Sequence, residues 1–234
     1  MQKIAYLVIV ACTAFVVTSC EKPKLESCPG NCTTITGRLL TSGQQGLSGA
    51  PISVYWRNGR GFSSSQLRYK AQATTDNNGK YSLSLYVQDD EMLAGYYELS
   101  TKVDNARYYA IDETIGALTK TPKRDSSYQL PPFLIPRKAI VSLTVPNASQ
   151  IQDYFSVEFV SALGNNLVVT KNSLGGGAVV SVPKQNTPFT TAVEVAADQK
   201  LYIRTTRKLV TTYTRTVDSL VVPAGTTHPL TITY

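Results

Sequence analysis

After residue 20 no stretch of the chain sustains a helical period; short segments instead alternate apolar and polar positions, separated by Gly, Asn, Asp and Pro. The clearest case is residues 74–85. Asp76, Asn77, Asn78 and Gly79 tolerate the left-handed backbone of a tight turn, after which Tyr81, Leu83 and Leu85 take one face and Ser82, Ser84 and Tyr86 the other. This predicts a hairpin turn running into a half-buried strand. Upstream, residues 34–40 form a first strand, and a Gly- and Gln-rich stretch leads to a second at 49–56. There Ile52, Val54 and Trp56 point inward while Ser53 and Tyr55 face out. Tyr97, Leu99, Thr101 and Val103 alternate with Glu98, Ser100 and Lys102, which predicts another strand. Residues 108–111 read as a short strand and 112–127 as a polar connection. Residues 128–135 read as an edge, since Pro131 and Pro132 have no N–H for a central ladder.

The pattern restarts at Ala139, where Ala139, Val141, Leu143 and Val145 alternate with Ile140, Ser142 and Thr144 before Pro146 breaks the run. Phe155, Val157 and Phe159 define the next inward face, Asn165 and Asn166 a turn, and segments at 167–170, 178–182, 190–196, 201–208, 211–222 and 229–234 supply further strands. The glycines at 175–177 make a turn and not a phosphate cradle, because no Lys and Ser/Thr follow and no helix opens there. The fold class is therefore all-β, with two tandem β-sandwich domains over 33–136 and 137–234.

The first of these, through the strand at 34–40, the 49–56 strand and the turn-strand unit at 74–85, resembles the carboxypeptidase regulatory-like domain, a transthyretin-like β-sandwich. The resemblance spans roughly residues 33–136 and implies a structural module that many hosts carry, so it implies no particular activity. A second resemblance lies at the start of the chain. Met1, Gln2 and Lys3 give a short basic opening, and residues 4–17 form an apolar run below the roughly 20 residues a spanning helix needs. The run ends in Val17, Thr18, Ser19 and Cys20, which resembles the lipobox of bacterial lipoproteins. That resemblance implies a signal peptide over 1–19, lipid attachment at Cys20 and a tether over 20–32. Glu21, in place of the Asp that retains lipoproteins at the inner membrane of enterobacteria, points to the outer membrane.

Of the four cysteines, Cys12 lies in the leader and Cys20 takes lipid, which leaves Cys28 and Cys32. They flank Pro29, Gly30 and Asn31, a turn sequence, and in an exported protein the expectation is a small disulfide, with free thiols the alternative. So short a loop contributes about 2 kcal/mol and would stiffen the tether more than a domain. A redox role lacks the Cys-x2-Cys spacing, and a zinc site lacks two further ligands.

Composition adds little to the strand reading but bounds the chemistry. The net charge of +7 could draw an acidic partner, yet the basic residues are scattered without a run, so no nucleic acid is expected. His228 is the single histidine, which excludes any site needing two within one chain. The zinc-carboxypeptidase, intradiol-dioxygenase and hydroxyisourate-hydrolase sites go with it. No nucleophile elbow accompanies His228, and no metal or cofactor is implied. Residues 88–91 read as a solvated acidic turn. Trp56, Arg57, Arg60 and Phe62, around a Gly/Ser-rich loop, are the candidate ligand-binding residues for a sugar or an anion, with a solvated loop over a core tryptophan as the other reading. Arg204, Arg207, Lys208 and Arg215 lie on two late strands that would pair as a hairpin, forming either a positive patch or charges that blunt edge pairing. The resulting expectation is a non-catalytic, lipid-anchored cell-envelope binding or structural module with an envelope protein or glycan partner. Two alternatives stand beside it, a carbohydrate-binding accessory lipoprotein of a transport system and a carboxylate-based glycosidase-like enzyme.

Overall fold

The computed structural model describes residues 28–30, 32–59, 66–110, 113–118, 123–173 and 176–234. In the first half the strands are β1 (Thr33–Thr41), β2 (Gln45–Gly46), β3 (Pro51–Asn58), β4 (Gln66–Thr74), β5 (Lys80–Leu85), β6 (Tyr96–Thr101), β7 (Thr114–Leu118), β8 (Ser127–Gln129) and β9 (Phe133–Leu134). The second half holds β10 (Lys138–Val145), β11 (Tyr154–Val160), β12 (Val179–Ser181), β13 (Phe189–Ala196), β14 (Lys200–Leu209), β15 (Thr212–Val221) and β16 (Thr227–Thr231).

The chain is all-β, and its strands form two sandwich-like bodies. In the first, β1 pairs antiparallel with β2 and β5 and parallel with β8 and β9, facing a four-stranded sheet of order β4-β3-β6-β7. The strict alternation of β5 explains this arrangement: Tyr81, Leu83 and Leu85 are buried and the residues between them exposed. They meet Ile52, Val54, Trp56 and Leu99 of the opposite sheet in one core. The turn that feeds β5 is closed by Asp76, whose Oδ1 accepts the N–H groups of Asn78 and Lys80, each at 2.8 Å. Gly79 completes it at φ +75°, where any Cβ would strike the Leu39 carbonyl.

In the second body a three-stranded sheet, β13-β10-β16, packs on a four-stranded one, β12-β11-β14-β15. Val141, Leu143, Phe155, Val157, Phe159 and Ile203 fill the space between them. Each such side chain, fully buried, stabilises the fold by about 1.5–3 kcal/mol relative to exposure.

Three segments depart from the sequence reading. The polar stretch 112–127 contains β7, held because Ile115 inserts into the core at 4% exposure although its neighbours show no periodicity. Residues 108–110 contribute one bridge, Tyr108 to Arg137, instead of a strand. Residues 167–170 form no strand; Leu167 and Val169 pack instead over a small cluster between the two bodies. Among the described residues no helix is long and apolar enough to cross a membrane.

Candidate functional site

Among the residues singled out for ligand binding, Trp56 lies at 1% exposure in the first core. Its Nε1 donates to the Ala94 carbonyl at 3.2 Å, and the Arg68 guanidinium stacks 4.5 Å from the ring centroid. The tryptophan therefore has no open face for a sugar, which corrects Trp56 as a candidate ligand-binding residue and makes it the core tryptophan of the other reading. Arg57 is half-buried and ion-paired with Glu98 at 2.8 Å, within its own sheet. Arg60 and Phe62 lie outside the described residues, as does Cys20. Cys28 and Cys32 are joined by a disulfide just ahead of β1.

The acidic turn is corrected at one residue: Asp89 and Asp90 are exposed as expected, and Glu91 is not. Glu91 is fully buried, with its Oε1 2.8 Å from Lys70 Nζ and its Oε2 accepting from the Tyr97 hydroxyl at 2.5 Å and the Gln88 N–H at 3.0 Å. Arg68 bridges outward from this group to Asp90 at 2.6 Å. Burial, reinforced by the Glu91 carboxylate it bonds, pushes the Tyr97 phenol far up. The hydrogen bond from Arg68 holds the exposed Asp90 carboxyl below its usual range. These groups saturate one another and hold the 88–95 turn against β4 and β6. Nothing in the local sequence pattern marks Glu91 for burial, because its partners come from distant strands.

The most built contact surface is the joint between the two bodies. Leu40, Leu134 and Ala162 form a buried cluster there. Leu134 and Gly164 exchange both backbone hydrogen bonds, at 2.8 and 2.9 Å, so one rung of β-ladder crosses from one body to the other. The Ser42 hydroxyl, itself buried, donates to the Ala197 carbonyl at 3.0 Å and accepts the Arg137 N–H at 2.9 Å. Arg137 also reaches Asp198 at 2.6 Å. Asp198 sits in the left-handed region at φ 55° and uses its second oxygen to accept the Ala224 N–H at 3.0 Å. Open grooves of about 370 and about 330 Å³ flank this joint.

The late basic residues are on the predicted hairpin, β14 with β15. Register places Arg204, Lys208 and Arg215 on the outer face and Arg207 on the inner one. They do not make an open positive patch. Glu158 takes both Arg204 and Arg215, at 3.3 and 3.1 Å, and Asp153 takes Lys208 at 2.9 Å, which raises the lysine's pKa. Arg204 is only 1% exposed because the backbone carbonyls of Lys171 and Ser173 cap its guanidinium. A larger open groove of about 610 Å³ runs beside the first-domain turn, lined by Arg38, Asp76, Lys80 and Tyr81. No group of three or more metal-ligating side chains occurs among the described residues.

No protein family and no curated protein matches the chain. Solved structures with some likeness include a 9R-lipoxygenase from Cyanothece PCC8801 at 16% identity and TM-score 0.32, covering 50% of this chain and 19% of that one. The Bacillus anthracis TIE protein matches at 11% identity and TM-score 0.33, over 86% of this chain and 34% of that one. The shaft pilin spaA from Lactobacillus rhamnosus GG matches at 11% identity and TM-score 0.29, over 86% of this chain and 96% of its own. The chain thus spans well under half of the first two. Likenesses this distant carry no argument about what the chain does, and the β-sandwich description rests on the strand pairings themselves.

Proposed function

We propose that this chain is a non-catalytic, lipid-anchored module of the bacterial cell envelope, in which two sandwiches act as one stiff spacer holding the second sandwich at a set orientation. The observation that supports this best is the joint. A buried apolar cluster, a reciprocal backbone pair at Leu134 and Gly164 and the doubly bonded Ser42 hydroxyl leave little freedom between the two bodies. Two domains move against each other by default unless something ties them, and here the backbone rung and the Ser42 bonds supply the ties that a small apolar cluster alone does not. In this reading residues 1–19 are the leader, acylated Cys20 is the anchor and the outer membrane is the destination. The Cys28–Cys32 disulfide then stiffens the end of the tether where it enters β1. The membrane is one partner, and an envelope protein or glycan meeting an exposed sheet is the other.

The full chain with a C-terminal tag, expressed in a Gram-negative host fed an alkyne fatty acid, tests the anchor. The parent is expected to carry label and to fractionate with the outer membrane, and Cys20→Ser to be unlabelled and released. An unlabelled, soluble parent overturns the anchor; a labelled parent in the inner membrane overturns the destination.

A further inference from the structure

Strand β15 is ten residues long, pairs with β14 along its whole length, and has no strand on its other side among the described residues. Nine of its ten residues are exposed, Leu220 alone being half-buried. Long uncovered edges are unusual in native sheets because their free N–H and C=O groups invite another strand. Opposite the buried Leu201 and Ile203 stand Leu220 and Asp218, so even-numbered β15 residues face the sandwich interior. Tyr213, Arg215, Val217, Ser219 and Val221 face out. Three of those five are large apolar side chains, at 63% exposure for Tyr213, 40% for Val217 and 58% for Val221.

We propose that β15 pairs antiparallel with β15 of a second copy of this chain, about a two-fold axis at Val217, fusing two four-stranded sheets into one. A two-fold axis normal to the sheet keeps every side chain on its own face, so the axis must fall at a residue position and only a few registers are open. Centring on Arg215 or on Asp218 sets that charge against itself, which is unfavourable for directly opposed residues. Centring on Thr216 sets Arg215 against Val217 and Tyr213 against Ser219. Registers further along shorten the overlap and leave Tyr213 or Val221 without a partner. Centring on Val217 sets Val217 against Val217 and Tyr213 against Val221, an aromatic paired with a β-branched residue. It also sets Arg215 against Ser219, and Asp218 against Thr216, whose hydroxyl can donate to it. Arg215 needs no carboxylate from outside, since Glu158 of its own sheet holds it at 3.1 Å. The strand is thus complementary to itself in charge and in apolar surface in one register, which favours a second copy over an unrelated strand. The arrangement closes on itself as a dimer. It stands independently of the lipid anchor.

Cysteine crosslinking in the purified full chain tests both pairing and register. Val217→Cys is expected to give a reducible dimer, because directly opposed residues lie within disulfide reach. Arg215→Cys and Ser219→Cys are each expected to stay uncrosslinked, and the double variant carrying both to crosslink. In sedimentation the parent is expected to be dimeric, and Val217→Lys, at an exposed position that leaves the fold intact, to weaken the dimer at least about tenfold. A monomeric parent with no crosslink at 217 overturns the pairing. Crosslinking of Arg215→Cys alone, as strong as that at 217, overturns the register.

Discussion

Lys70 Nζ and Glu91 Oε1 lie 2.8 Å apart with both side chains sealed from solvent, so a full ion pair sits inside the first sandwich. The cost of removing two charges from water is offset here by the further hydrogen bonds that Glu91 accepts from Tyr97 and Gln88. Removing one partner strands the other. Lys70→Met is expected to destabilise the protein by about 3–5 kcal/mol in urea unfolding, while Lys70→Met combined with Glu91→Leu loses clearly less. Equal losses for single and double variants would show that the pair is not the organising contact.

Tyr81 supplies a pH signature. Burial pushes its phenol up to about 12 from the usual 10.0. A raised folded-state value means that the folded protein keeps the proton longer than the unfolded chain. Stability is therefore full below pH 10 and falls as the pH climbs toward 12. Urea midpoints are expected to drop between about pH 10 and about pH 12, and Tyr81→Phe to flatten that fall. Tyr97 and Tyr109 are shifted the same way, so a residual slope in the variant belongs to them.

The contrast between Tyr81 and Glu91 shows what was legible from the chain. Tyr81 belongs to a period-two run closed by an Asp-Asn-Asn-Gly turn, and local rules fix its face. Glu91 sits among polar residues, and its burial depends on Lys70 from β4 and Tyr97 from β6, a relation no local pattern encodes. Trp56 was ambiguous for the same reason: whether it stacks on a ligand or fills a core is decided by Arg68, which arrives over the ring from the next strand. The joint was invisible too. Ser42 lies in a Gly/Gln-rich stretch that reads as surface loop, yet it is the residue that both Ala197 and Arg137 bond.

Ser42→Ala leaves a buried Ala197 carbonyl without the hydroxyl and the Arg137 N–H without its acceptor, which costs about 1–3 kcal/mol. The loss falls on the coupling between the two bodies. Calorimetry is expected to resolve one transition in the parent into two in the variant, together with faster proteolysis around residues 135–137. A single transition merely shifted downward would mean that the apolar cluster alone holds the joint.

Arg204 has the parity of a solvent-facing residue, and its burial comes from the 165–173 segment folding back across the sheet. Its Nε donates to the Lys171 carbonyl at 3.1 Å and a terminal nitrogen to that of Ser173, while Glu158 balances the charge. A planar fork can hold two carbonyls and a carboxylate at once, and an ammonium cannot match that geometry. Arg204→Lys and Arg204→Met are therefore both expected to loosen the segment, read as faster amide exchange at residues 167–173 with β11 and β14 still protected. Because Leu167 and Val169 of that segment cover the cluster at the joint, the same variants are expected to weaken the coupling that Ser42→Ala weakens. If exchange in the segment rises and the coupling stays intact, Arg204 serves the sheet face alone, and the joint is held by Leu40, Leu134 and Ala162 without that cover.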